Sequence, residues 1–118
     1  MTPHLVASVE SDSLLFLSGQ LPFDADRTIS AADIDGQTRQ VLANIIAVLR
    51  PQGLTLDDVV KATVWLKNAS DFAAFDAAYA DCFGVHKPAR STVVSDLVVP
   101  SALIEIEVIA RCRAGGAA

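Results

Sequence analysis

Short apolar runs set off by polar breaks open the chain. Leu5-Val6-Ala7-Ser8-Val9 and Leu14-Leu15-Phe16-Leu17 flank the turn-rich Glu10-Ser11-Asp12-Ser13, a pattern that predicts a β-hairpin. Ser18-Gly19-Gln20-Leu21-Pro22 ends the second strand. Gly19 there is either a bulge or turn glycine or a point where backbone approaches a ligand closely. Residues 23–33 are polar and irregular. From Ile34 to Leu49 the apolar positions Val41, Leu42, Ile45, Ile46, Val48 and Leu49 recur at helical spacing, with Gln37, Arg39, Gln40 and Asn44 on the other side. Asp33 or Asp35 caps this helix, and Pro51 with Gly53 stops it. The β-branched run Val59 to Leu66 reads as a mostly buried strand. Ser70 or Asn68 then caps a second helix through Phe83, where Phe72, Phe75, Ala78 and Tyr79 form one stripe and Gly84 supplies the stop. Pro88 fixes its own φ and biases Lys87 toward extended backbone, so a strand begins at Ala89. The run from Ala102 to Ala110 is the last strand.

The order strand, strand, helix, strand, helix, strand, strand predicts a single α+β domain over residues 1–113. One mixed sheet carries both helices on one face, and residues 114–118 form a disordered tail. The opposite face must then be covered. With 118 residues the chain is short for a large private core, yet 52% of it is hydrophobic. A closed oligomer with sheet faces turned inward accounts for the excess. The formal net charge of −5, without a cluster of Lys and Arg, argues against nucleic acid as the main partner. Neither a secretory signal nor a membrane-spanning run is expected. Cys82 and Cys112 fall outside any Cys-x-x-Cys pattern and read as reduced, buried cytoplasmic thiols. His4 and His86, the only histidines, lack metal-ligand spacing.

Two features carry candidate chemistry. Arg90 stands at the start of a strand on the rigid base made by Pro88, with Thr92 and Val94 on its face and Val93 on the other. A guanidinium there either forms an ordinary ion pair or grips a small carboxylate with two parallel hydrogen bonds. In Ile104-Glu105-Ile106-Glu107 both carboxylates lie on one face of an apolar strand, which is unfavourable unless each has a partner or a task. Arg90 on a neighbouring strand is the partner in a structural reading. In a catalytic reading Arg90 holds substrate and a partly desolvated glutamate handles water.

These stretches, with Gln37-Thr38-Arg39-Gln40-Val41-Leu42, Asp57-Asp58-Val59-Val60-Lys61 and Asp71-Phe72-Ala73, resemble in order and spacing the RidA (YjgF-type) family of enamine/imine deaminases, also labelled the endoribonuclease L-PSP family. The resemblance runs from about Leu14 to Ala110. It implies a chorismate-mutase-like α+β fold and a cytoplasmic homotrimer with a ligand cleft at each subunit interface. The implied activity is hydrolysis of 2-iminopropanoate, 2-iminobutanoate and 2-aminoacrylate to 2-keto acids and ammonia, a metabolite-repair reaction that needs no metal or organic cofactor. By the same resemblance Arg90 binds the substrate carboxylate and Glu105 positions the attacking water. Gly19, Ser18 and Thr92 contribute to substrate binding, with Leu5 and Asp76 flanking the pocket. The chain departs from the family pattern at three places. His4-Leu5 stands in the region of a usual tyrosine, Thr92 in place of a frequent cysteine, and Asp76 in place of a frequent asparagine. Deamination of another imine, aminomuconate-like, and ligand binding by a non-catalytic regulatory trimer are the alternatives. A ribonuclease role fits the acidic charge poorly.

Overall fold

The β-branched run at the middle of the chain becomes an inner strand of the sheet. The computed structural model describes residues 2–113, so the expectation of a disordered tail at 114–118 falls outside the described residues. Five strands, β1 (Ser8–Ser11), β2 (Leu14–Leu17), β3 (Val59–Leu66), β4 (Ala89–Val94) and β5 (Ile104–Arg111), lie in the order β1-β2-β5-β3-β4. Only the β3–β4 pair is parallel, because α2 (Phe72–Phe83) crosses over between them, while β1–β2, β2–β5 and β3–β5 are antiparallel. The result is one mixed sheet in a single domain, as the element order predicts.

Alternation along β3 and β5 decides which face is dry. Ala62, Val64 and Leu66 of β3 and Ile104, Ile106, Val108 and Ala110 of β5 are buried. They join one core with Val41, Leu42, Ile45 and Leu49 of α1 (Ile34–Leu49) and Phe75, Tyr79 and Phe83 of α2. Fully burying an aliphatic or aromatic side chain of this size stabilises the fold by about 1.5–3 kcal/mol each, so this face dominates the stability. On the opposite face Lys61, Thr63, Trp65, Glu105 and Ile109 are only half-buried, so β3 is covered on one side alone.

Several local expectations change. The first strand is Ser8–Ser11, so Glu10 and Ser11 belong to the ladder. The turn tightens to Asp12-Ser13, Asp12 adopting the left-handed φ of 55° that a two-residue hairpin loop requires. Leu5 and Val6 lie ahead of it and are exposed. Asp33, rather than Asp35, caps α1, accepting from the Gly36 N–H at 2.9 Å, while Asp35 pairs with Arg39 one turn on. Neither Ser70 nor Asn68 caps α2 through its side chain; a short 3-10 turn over Ala69–Asp71 leads directly into it. Gly84, at φ 70°, does end it. Cys82 and Cys112 are free and half-buried rather than buried, one on the flank of α2 and the other just past β5.

Gln37 departs most from its expected place. Helical spacing puts it with the polar residues, but it is 2% exposed. Its Nε2 donates to the Ala31 and Ser101 carbonyls at 3.0 and 3.2 Å, and its Oε1 accepts from the Leu103 N–H at 2.7 Å. Gln37 thus ties the first turn of α1 to the start of β5 with all its polar atoms satisfied.

Candidate functional site

Arg90 takes its direction from the register of β4. It lies opposite Ala62 in the parallel ladder and therefore points to the helix face. Its guanidinium carbon lies 5.7, 5.1 and 4.8 Å from the ring centroids of Phe72, Phe75 and Tyr79, an aromatic bed that favours a cation. The same stripe that reads as core thus also holds the arginine, and its signal was the spacing of aromatics on α2. Nη1 of Arg90 donates to Asp76 Oδ1 at 2.8 Å, with the two side chains 22% and 48% exposed. The ion pair of Arg90 therefore runs to α2 and not to a glutamate of β5.

A groove of about 440 Å³ opens here, lined by Asp76, Tyr79, Phe83, His86, Lys87 and Arg90 among others. Its wall sets the cations Lys87 and Arg90 beside the aromatic Tyr79 and Phe83, with one carboxylate, Asp76, and the cations and rings together suit a small anion with an apolar body. The Tyr79 hydroxyl is buried and has no hydrogen-bond partner among the described residues. Burial pushes its pKa up to about 12, against the pull of the Arg90 charge, so it stays a proton donor. His86 Nε2 lies 2.7 Å from the Val59 carbonyl, and that contact fixes the Nε2-protonated form.

Glu105 lies opposite Trp65, three residues along β3 from Ala62, so it points to the other face of the sheet from Arg90. Glu107, opposite Thr63, shares its side. The adjacent-strand pairing of Arg90 with a glutamate is thereby overturned: β3 stands between β4 and β5, and the groups are on opposite faces. Burial raises the Glu105 pKa above the ordinary 4.5, and repulsion from Glu107 adds to it. A second, shallower cavity of about 200 Å³ lies over Glu105, lined by Trp65, Ser95, Asp96, Leu97 and Val98.

Gly19 sits directly against this carboxylate. Past the end of β2 the chain rejoins β5 at Gln20, whose N–H donates to the Ile106 carbonyl at 2.7 Å and whose carbonyl accepts from the Ile106 N–H at 3.1 Å. A Cβ on Gly19 would overlap Glu105 Oε2 and lie 3.2 Å from its Cδ. Close approach, then, is what this glycine allows, and Glu105 is what approaches.

The remaining sequence candidates scatter. Thr92 shares the helix-side face with Arg90, two residues along β4 and opposite Val64. The Ser18 hydroxyl donates to the Val6 carbonyl at 2.6 Å and anchors the N-terminal segment. Leu5, 66% exposed, lines neither cavity. Asp76 lines the groove and holds Arg90. Among the described residues no group of three or more His, Cys, Asp and Glu is arranged to hold a metal ion.

Comparison with known proteins agrees over almost the whole chain. The family model described as Endoribonuclease L-PSP matches residues 2–112. A RutC family protein of Pyrococcus horikoshii is 45% identical over 104 residues, covering 87% of this chain and 82% of that one. The 2-iminobutanoate/2-iminopropanoate deaminase of Salmonella typhimurium is 39% identical over 111 residues, covering 92% and 87%. The crystal structure of the YjgF gene product of E. coli superimposes with a TM-score of 0.85 at 37% identity, covering 92% of this chain and 88% of that one.

Proposed function

The chain belongs to the Endoribonuclease L-PSP family, that of RidA and YjgF proteins, and from that premise we propose that it hydrolyses 2-iminopropanoate, 2-iminobutanoate and their 2-aminoacrylate-type enamines to 2-keto acids and ammonia. The observation that supports the proposal is that Arg90 and Glu105 lie on opposite faces of one sheet, each beside a cavity of its own. Two copies packed so that the β4 edge of one meets the Glu105 face of the next make a single site from both. A homotrimer closes such an arrangement head to tail. The face it covers carries exposed apolar groups at both edges, Val9 paired with Phe16 across β1 and β2 and Val93 on β4, at 55%, 40% and 43% exposure, which an interface between copies would bury.

In this site the substrate carboxylate lies on the free edge of the Arg90 guanidinium. Glu105 of the neighbouring copy, as carboxylate, takes a proton from water while the water oxygen bonds to C2, and hands that proton to the nitrogen as the C=N π-electrons become an N–H bond. The carbinolamine then collapses. Its hydroxyl proton passes to Glu105 as the C2–O double bond forms, the C2–N bond breaks, and Glu105 gives that proton to the nitrogen, which departs as ammonia. The raised pKa of Glu105 brings both steps within reach of one group near neutral pH. Apart from water, no co-reactant is needed.

A threonine dehydratase generating 2-iminobutanoate in situ tests the reaction. Added protein is expected to accelerate release of 2-oxobutanoate over the spontaneous rate. No acceleration with either threonine- or serine-derived substrate would favour the ligand-binding reading.

A further inference from the structure

The proposed reaction leaves Asp76 without a task, although it occupies the carboxylate-binding group itself. Its Oδ1 accepts from Arg90 Nη1 at 2.8 Å, and no hydrogen bond reaches its Oδ2 from the described residues. Asp76 supplies the only carboxylate among the described residues lining the groove, where Lys87, Arg90 and the protonated Tyr79 hydroxyl are donors. A ligand carboxylate on the free edge of Arg90 therefore shares the groove with a fixed negative acceptor. The chemistry of the ligand's C2 substituent changes during hydrolysis. Before reaction it is nitrogen bearing N–H, a donor; afterwards it is a ketone oxygen, which only accepts.

We propose that Asp76 is a specificity-determining residue that makes the Arg90 groove discriminate between 2-imino acid substrate and 2-keto acid product, holding the N–H of the first and repelling the carbonyl oxygen of the second. The inference rests on the reading of Arg90 as the carboxylate ligand. An acceptor facing an acceptor leaves both without a proton to share, so the penalty falls on the product alone. A neutral amide at the same position would lose the discrimination, because an amide presents either a donor or an acceptor. With Asp76 the site releases what it makes. It also takes up donor-bearing analogues in preference to keto acids of the same length.

Two stable probes of equal carbon skeleton and equal net charge separate the cases: 2-hydroxybutanoate, with a hydroxyl donor at C2, and 2-oxobutanoate, with an acceptor alone. Their dissociation constants are measured by calorimetry on wild type, Asp76→Asn and Asp76→Ala, with inhibition of imine hydrolysis by 2-oxobutanoate alongside. Both variants are expected to shift the ratio of the two constants about tenfold toward the keto acid, a change of about 1.4 kcal/mol, with matching stronger product inhibition. An unchanged ratio, or equal weakening of both probes, would show that Asp76 merely orients Arg90 and overturn the proposal; so would failure of both probes to bind. A shifted ratio in a protein that hydrolyses no imine would leave this inference standing and remove the deaminase reading instead.

Discussion

Arg90 and Glu105 each answer to one substitution that preserves shape or charge and removes one property. Arg90→Lys keeps the cation but loses the planar fork and its stacking over Phe72, Phe75 and Tyr79. Loss of a charge-assisted hydrogen bond of about 1.5–3 kcal/mol lowers kcat/KM on the order of ten- to a hundredfold, with an unchanged circular dichroism spectrum. Wild-type kinetics in that variant would leave Arg90 only its ion pair with Asp76. Glu105→Gln keeps the shape and removes proton exchange, so kcat falls by about 10²–10⁴-fold while 2-keto acids still bind. The same change raises the thermal midpoint at neutral pH. Because burial lifts the Glu105 pKa in the fold above its ordinary 4.5, the folded state holds this proton more tightly than the unfolded chain. Glu105 therefore leaves stability unpenalised below the unfolded value, and the penalty grows as pH rises through the raised folded value. Wild-type stability is expected to fall across that window, and the Gln variant to lack this component. Activity runs the opposite way, declining as acid protonates the carboxylate, with its midpoint above the ordinary glutamate range.

At the scale of elements, the site depends on three junctions. The crossover through α2 brings the aromatic bed over β4, the return of the chain at Gln20 sets Gly19 against Glu105, and Gln37 fixes α1 to the start of β5. Gln37→Leu fills the space but strands the Leu103 N–H and two carbonyls in a dry setting. Leaving the buried donor unpaired costs about 1–3 kcal/mol, and urea unfolding followed by tryptophan fluorescence should show a free energy of unfolding lower by that amount, with the midpoint lowered accordingly. An unchanged midpoint would mean that water replaces the glutamine. Element positions were largely legible beforehand. The helix over Ile34–Leu49, the strand over Val59–Leu66 and the start of β4 at Ala89 all follow from periodicity and punctuation that local sterics enforce. The buried role of Gln37 was not legible, because helical spacing assigns a residue to a side of the helix and not to a partner 66 positions away.

For the whole molecule, assembly is the property on which the proposed chemistry turns. Light scattering on a size-exclusion column is expected to give three times the chain mass for wild type at micromolar concentration. Phe16→Asp, which puts a charge on the exposed sheet face beside Val9, should yield a smaller species and lose imine hydrolysis with it. A wild-type monomer with full deaminase activity would contradict a site shared between copies, since the two groups point away from each other within one chain.

The sequence by itself determined the element order and the one-domain α+β class and singled out Arg90 and Glu105 as candidates, because strand and helix periods, proline and glycine constraints and the cost of an unpaired charge act over a few residues. Alternation along the last strand was enough to place Glu105 and Glu107 on one side and Ile104 and Ile106 on the other. Tertiary structure alone decided that β5 enters the sheet between β2 and β3, that Arg90 turns to the helices and Glu105 away from them, and that Asp76 is the residue Arg90 holds. Strand order and facing depend on which distant segments pair, and that choice is made by burying the helix-side core as a whole rather than by any local run of residues.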